Sequence, residues 1–306
     1  MVNCVYSIVI PVYNSSSTLA ELFARIEAVF SKNGTSFEVI FVEDGSYDSS
    51  WEAIQKLKNN YPDIVKGIRF SKNYGQHNAL LCGFRFAKGD WVITMDDDLQ
   101  TPPEEINKLI KKINETGADL VYGTYESKQH SLLRNTGSRF IKKLAPYASG
   151  NTNEGSSFRI IKKDIVNQIR TYNQVFVFID EVIFWHTSNI STTPVEHHQR
   201  KEGKSGYSFK KLMGLTINLI INYSNLPLRI MTVVGFLSSF FAFFLGLFFV
   251  WKKVHFKVPL GYTSIIVAIF FSTGVILFCL GILGEYISRI YNTQNNKPQY
   301  SIKELA

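Results

Sequence analysis

Cysteine is scarce in this sequence: Cys4, Cys82 and Cys279 lie far apart, in no CxxC or metal-site spacing. That pattern excludes a disulfide framework and leaves three reduced packing residues. No basic run interleaved with aromatics is present, so the formal charge of +8 does not point to nucleic acid. Charge is absent altogether from two stretches, Ile230–Val250 and Thr263–Leu283. Each is about 21 residues, enough to cross a hydrocarbon core of roughly 30 Å at about 1.5 Å per residue. Buried core helices of that length usually carry a polar stripe, and these carry none, so two transmembrane helices are expected. Met1–Ile10 also lacks a charged n-region and a cleavage pattern, so no secretory signal is expected.

What is present divides at about residue 228. Before it, scattered charges and short apolar runs read as a soluble α/β domain of about 200 residues. Strands are predicted at Tyr6–Val12, Phe37–Val42, Val65–Phe70, Trp91–Met95 and Asp119–Gly123. Helices are expected from Leu19 towards Phe30, around Ser49–Lys58, over Asn78–Ala87 and over Pro102–Asn114, the last with proline in its first turn. Such alternation implies a mostly parallel sheet, whose ligands bind beyond the carboxyl ends of the strands. The expected organisation is a sheet domain over 1–205, an amphipathic juxtamembrane segment over 206–229, two spans within 230–291 (230–250 and 263–283) and a cytoplasmic tail over 292–306. Phe209–Tyr223 alternates Leu212, Leu215, Leu219 and Ile220 with Lys210, Lys211 and Asn218, a pattern suited to lie in a membrane interface. Arg200, Lys201, Lys204, Lys210, Lys211 and Arg229 precede the first span, which mildly favours a cytoplasmic sheet domain, against Lys252, Lys253 and Lys257 in the connecting loop.

Two acidic clusters sit at predicted strand ends. Asp96-Asp97-Asp98 offers hard oxygen ligands of the kind a divalent cation takes when it screens a diphosphate. Alone, such a triplet reads equally as a solvated turn or a helix cap. It stands in an ordered series, however: Ile10-Pro11-Val12-Tyr13-Asn14, then Glu43-Asp44-Gly45-Ser46, then Asn73-Tyr74-Gly75-Gln76-His77, then the triplet with Pro102-Pro103-Glu104.

With that series the chain resembles the inverting, GT-A-type glycosyltransferases of the second family. Gly203-Lys204-Ser205-Gly206-Tyr207, Pro227-Leu228-Arg229 and Gly284-Glu285-Tyr286-Ile287-Ser288-Arg289 resemble its polyprenyl-phosphate branch, close in pattern to bacterial undecaprenyl-phosphate formamido-arabinose transferases. The resemblance implies a GT-A, Rossmann-like fold and transfer of a sugar, with inversion, from a nucleotide-sugar (UDP-linked favoured) to a polyprenyl phosphate. It places this at the cytoplasmic face of the plasma membrane, with a homo-tetramer possible. Pro11, Tyr13, Asn14, Asp44, Asn73, Gln76, Asp96 and Asp97 are then the nucleotide-binding set, and Asp98 with Asp96 the ligands of Mg²⁺ or Mn²⁺. Two departures stand out. Glu43 replaces the first aspartate of an Asp-Asp-Gly-Ser run, keeping its charge. Asn153 stands where relatives carry an aspartate, so the usual donor-sugar contact is not carried over.

A phosphate monoester with a second pKa near ~6 is largely a dianion at neutral pH, so it needs no general base. It needs cations that let two anions meet. Arg134 and Arg139 are the first candidates for the acceptor phosphate, and Arg200, Lys204 and Ser205 the second group, because the guanidinium fork matches phosphate oxygens. Asp96, Asp98 and Arg139 form the expected catalytic set. Asp180 and Glu181, near the position of a base in hydroxyl-glycosylating relatives, are expected to cap a helix or touch a sugar hydroxyl. His197 and His198 read as structural or phosphate-near. The alternatives are a polysaccharide synthase acting on a hydroxyl, which usually carries Gln-x-x-Arg-Trp and more spans, and an inactive scaffold; the Asp44 and Asp96–Asp98 carboxylates argue against the scaffold.

Overall fold

A computed structural model of the chain describes residues 5–125, 156–174, 176–198, 226–256, 262–295 and 298–306. The apolar run that opens the sequence becomes β1 (Tyr6–Val12), buried at every position. Strands β2 (Phe37–Glu43), β3 (Val65–Phe70) and β4 (Trp91–Thr94) pair in parallel around it. Both faces are covered, so these strands read as continuous apolar runs rather than alternating ones. Helix α1 (Leu19–Asn33) turns Leu19, Leu22, Phe23, Ile26 and Phe30 inward at three- and four-residue spacing. Each such side chain contributes about 1.5–3 kcal/mol by leaving water. Helices α2 (Ser50–Asn60) and α3 (Gln76–Phe86) are the next two crossovers, and α3 starts two residues before its expected position. The proline-led turn expected at 102–114 is a 3-10 turn at Pro103–Glu105 running into α4 (Ile106–Thr116).

After β5 (Leu120–Tyr125) the sheet departs from simple alternation. Strand β6 (Arg159–Lys162) runs antiparallel between β4 and β5. Short helices α5 (Lys163–Ile169) and α6 (Ile179–Phe184) follow, and β7 (Ile190–Val195) pairs parallel with β5. Because β6 is reversed, its first residue lies at the carboxyl end of β4, with Arg159 opposite both Thr94 and, in mid-β5, Tyr122.

Part of the segment expected as a tail over 292–306 joins the sheet. Ile302–Leu305 form β8, an antiparallel edge strand on β3. The sheet therefore has eight strands among the described residues, in the order β7-β5-β6-β4-β1-β2-β3-β8. A tail of mixed polarity gives no strand signal of its own; pairing with the open edge of β3 supplies it.

Residues up to 198 together with 298–306 make one compact unit, and 226–295 make another. The second holds α7 (Leu226–Phe256) and α8 (Tyr262–Gln294), which contain the two expected spans and extend past them. Both are long and apolar enough to cross a membrane. Their large side chains are not packed away: Phe236 is 69% exposed and Ile276 58% exposed. The predicted interfacial helix over 209–223 lies outside the described residues.

Candidate active site

The carboxyl ends of β1, β2, β3 and β4 bring three of the four singled-out motifs face to face with the acidic triplet. Asp44, immediately after β2, is buried, and its amide donates to the carbonyl of Val12 at 2.9 Å. Its two carboxylate oxygens accept the amides of Tyr74 and Gly75 at 2.6 and 2.8 Å. Those bonds tie the turn after β2 to the turn after β3. The turns meet so closely at Gly45 (φ 69°) that a Cβ there would collide with the backbone of Lys72 and Asn73. Only glycine allows that approach. Burial pushes Asp44 up to about 6, against the pull of its two amide donors.

The turn after β1 is laced in as well. The Asn14 amide donates to Ser46 Oγ at 3.0 Å, and Asn14 Oδ1 accepts the Tyr47 amide at 2.9 Å. Asn14 takes a left-handed conformation (φ 53°), one asparagine tolerates. Pro11 is buried within β1 opposite Val42, while Tyr13 and Asn14 are exposed at its end.

The three aspartates have distinct settings. Asp96 accepts Gln76 Nε2 on one oxygen at 2.7 Å and the Ser157 hydroxyl on the other at 2.6 Å. Asp97 accepts the Tyr13 amide at 3.0 Å, so it fastens the β1 turn to the triplet. Asp98 accepts the Gln100 amide at 3.1 Å, with Leu99 between them in a left-handed conformation (φ 58°). Burial raises Asp96 and carries Asp97 to about 6, and the neighbouring carboxylates add to both.

A divalent cation fits this donor set. Asp96 and Asp97, raised by burial and by the carboxylates beside them, favour a positive charge nearby. No cluster of three or more histidine, cysteine or acidic ligands occurs among the described residues. An ion such as Mg²⁺ would therefore be held here by one or two carboxylates, with substrate phosphates and water supplying the rest. Both Asp96 oxygens already carry protein donors.

Behind Asp96 lies a buried group of charges. Arg159 donates from Nε to Thr94 Oγ1 at 3.1 Å and pairs with Asp180, which also accepts the Tyr122 hydroxyl at 2.7 Å. Thr94 donates onward to the carbonyl of Ser157 at 2.5 Å. Asp180 therefore neither caps α6 nor faces open solvent; its carboxylate neutralises a fully buried guanidinium. Glu181, next to it, is buried too. His77 packs against Phe178 at 4.5 Å and accepts the Ile179 amide on Nδ1 at 3.3 Å, which fixes the start of α6. Burial holds its imidazole down at about 4, so it is neutral at pH 7 and free to accept. His197 and His198 lie beside the triplet's loop: His197 packs on Tyr125 at 4.2 Å, and the His198 amide donates to the Gln100 carbonyl at 2.8 Å.

Arg134, Arg139, Asn153, Arg200, Lys204 and Ser205 lie outside the described residues. The structure thus assembles the proposed donor side, namely Pro11, Tyr13, Asn14, Asp44, Asn73, Gln76 and Asp96–Asp98, at one edge of the sheet. It adds Ser157, Arg159 and Tyr122. The signal for these was the Ser157-Phe158-Arg159 run, which carries a buried charge needing a partner.

Residues 7–186 match the family described as Glycosyl transferase family 2. The chain belongs to glycosyl transferase family 2. A second match, the GtrB C-terminal hairpin, covers residues 226–290. Curated relatives include the undecaprenyl-phosphate 4-deoxy-4-formamido-L-arabinose transferase of Shewanella sediminis, 33% identical over 304 residues, covering 98% of this chain and 92% of that protein. The protein of that name from Klebsiella pneumoniae subsp. pneumoniae is 32% identical over 305 residues, with 98% and 93% covered. Among solved structures, glucosyl-3-phosphoglycerate synthase from Mycobacterium tuberculosis, in complex with Mn²⁺, UDP and glucosyl-3-phosphoglycerate, shares the fold. Its TM-score is 0.50 at 15% identity, over 71% of this chain and 78% of that one. The family 2 glycosyltransferase fold expected from the sequence is therefore present, on a mostly parallel sheet followed by two apolar helices.

Proposed function

We propose that the protein transfers a sugar from a UDP-linked donor to undecaprenyl phosphate or a similar polyprenyl phosphate, with inversion, at the cytoplasmic face of the membrane it spans. The observation that carries this reading is the setting of Asp180. In a transferase that glycosylates a hydroxyl, a carboxylate must be free to take a proton. Here the carboxylate at that place is committed to Arg159 and Tyr122. A phosphate dianion arrives deprotonated, so a site in which Asp180 is not available as a base suits it. The names of the relatives, which match across both the sheet and the hairpin, support the same acceptor.

On this reading Asp44 accepts from the uracil base, with Tyr13 and Asn14 beside it, and Asn73 and Gln76 close the pocket. A divalent ion at Asp98, Mg²⁺ or Mn²⁺, would supply Lewis-acid screening of the leaving diphosphate. Asp96, fixed by Gln76 and Ser157, is left to orient the ribose or a bound water. Arg134 and Arg139, with Arg200, Lys204 and Ser205, are the candidates to hold the acceptor phosphate.

The chain's connectivity supports the orientation. Strand β8 follows both apolar helices, yet it belongs to the sheet that begins with β1. That connectivity suits two crossings that return the chain to the side it left, and a UDP-sugar donor, a cytosolic reagent, supports the cytoplasm as that side.

The test is transfer from a panel of radiolabelled UDP- and GDP-sugars to undecaprenyl phosphate by the full chain in detergent. NMR of the product anomer reads the stereochemistry. Transfer to a sugar hydroxyl, with none to lipid phosphate, would overturn the proposal.

A further inference from the structure

We infer that the C-terminal tail, residues 298–306, positions the nucleotide pocket, with Tyr300 and Glu304 as its positioning residues; this rests on the reading of Asp44 and its neighbours as that pocket. The tail is held to β3 by backbone bonds from Ser71 to Ser301 at 3.0 Å and between Gly67 and Ala306 at 2.8 and 3.0 Å. Covering an exposed edge needs no more than such bonds. The tail's side chains do something additional: they reach both turns that enclose Asp44.

One connection is a row of charges across three strands. Glu304 sits opposite Arg69, and Arg69 opposite Glu43. Arg69 meets Glu304 Oε1 at 3.4 Å and Glu43 Oε2 at 3.2 Å. The other Glu43 oxygen accepts the Ser46 amide, in the turn that carries Asp44 and Gly45. Glu304 also accepts the Trp51 indole N–H at 2.8 Å, which fixes its carboxylate in place. Glu43 is buried, so Arg69 is the charge that compensates it, and Glu304 sets where Arg69 lies.

The other connection is aromatic. Tyr300 stacks on Phe70 with centroids 4.9 Å apart, and Phe70 meets Tyr74 edge-on at 5.6 Å. The amides of Tyr74 and Gly75 are the donors that hold the Asp44 carboxylate. Tyr300 and Gln299 also take Arg85 of α3, at 2.7 and 3.0 Å, and Gln299 anchors itself to the carbonyls of Tyr172 and Gln174. Gln76, which orients Asp96, opens that same helix. The tail thus fixes both turns and the helix between which a nucleotide would lie. Only residues 295–297 separate it from α8, so the apolar hairpin and this strap are one continuous piece of chain.

The experiment uses the full chain in detergent with four variants: Tyr300→Ala, Tyr300→Phe, Glu304→Gln and a deletion of 298–306. It measures UDP affinity by calorimetry with Mn²⁺, amide hydrogen exchange over residues 43–48 and 71–77, and Tm. Tyr300→Ala and Glu304→Gln are each expected to weaken UDP about tenfold and to speed exchange in those two segments, with KM for lipid phosphate unchanged. Tyr300→Phe keeps the stack and should stay within about threefold of wild type, and the deletion should lose the most. UDP affinity within about twofold of wild type, with exchange over 71–77 unaltered while Tm falls, would overturn the inference and leave the tail an edge cover. If wild type itself binds no UDP, the nucleotide reading fails, and exchange over 43–48 and 71–77 alone decides the positioning role. Should the deletion not fold, the point variants decide.

Discussion

The two halves of the sheet hold their buried carboxylates by different means. In the half built on β1, β2, β3 and β8, Asp44 receives two backbone amides and, among the described residues, no cation. In the half built on β4, β5, β6 and β7, Asp180 receives a guanidinium and a phenol. Amide donors leave a carboxylate ready to take one more donor and poised to titrate. A buried ion pair spends its charge internally, and breaking it strands the partner. On the proposed reading the first half recognises the nucleotide and the second stiffens a wall behind Asp96. The acidic triplet sits at their seam, on the loop after β4.

The largest effect should come from that seam. Asp98→Ala is expected to lower transfer by about a thousandfold or more while Tm stays near wild type, since the position is partly exposed. Excess chelator on wild type should reproduce the loss. Transfer that persists in chelator would remove the cation from Asp98.

Next comes the wall. Arg159→Leu should destabilise by about 3–5 kcal/mol, because Asp180 is left buried without its counter-charge. Asp180→Asn should cost a comparable amount for the converse reason, yet the rate per folded molecule should stay within about tenfold, roughly 1.4 kcal/mol of barrier. Glu181→Gln should also stay within about tenfold in rate. Denaturation and initial rates measured on the same preparations separate the two quantities. A thousandfold rate loss in a folded Asp180→Asn protein would reinstate base catalysis and a hydroxyl acceptor.

The acceptor comes third. The double variant Arg134→Ala/Arg139→Ala should raise KM for lipid phosphate by about 10–100-fold with UDP affinity nearly unchanged. Initial rates against lipid phosphate concentration, beside UDP calorimetry, check it. An unchanged KM would move acceptor binding to Arg200 and Lys204.

The two halves were also unequally legible in the sequence. Strands β1 to β4 announce themselves as apolar runs closed by Asn14, Asp44 and Asp96, because each is a local signal. The gathering of Asn14, Asp44, Gln76 and Asp96 at their ends was legible for the same reason. Arg159 and Asp180 are 21 residues apart and join only because β6 reverses, which no periodicity encodes. Strand β8 is the extreme case. Glu304 meets Trp51 across 253 residues, and nothing in Ser301–Ala306 says strand until β3 offers an open edge. The apolar hairpin was legible from composition alone, though its helices run past the expected ends, since helical backbone need not stop where hydrophobicity does.

The smallest effect is the most direct test of the amide-held carboxylate. Asp44 is raised from 3.8 to about 6, chiefly by burial. Between those values the folded state holds a proton that the unfolded chain has released. The contribution of Asp44 to stability is therefore fully present below about pH 4 and lost as pH rises through about 6. Ligand binding should run the opposite way. An ionised Asp44 accepts from a nucleobase N–H and a protonated one accepts less well, so UDP affinity should fall up to about tenfold per pH unit below 6. Asp44→Asn should bind UDP more weakly at pH 7.5, since its amide faces the donors of Tyr74 and Gly75, and its remaining affinity should lose the step that wild type shows near pH 6. The measurement is UDP calorimetry from pH 5 to 8 on both proteins, without added metal so that titration near Asp98 does not enter through the cation. An identical step near pH 6 in Asp44→Asn would assign it to Asp97, whose carboxylate burial also carries to about 6. The base contact would then have to be sought at Tyr13 and Asn14 instead.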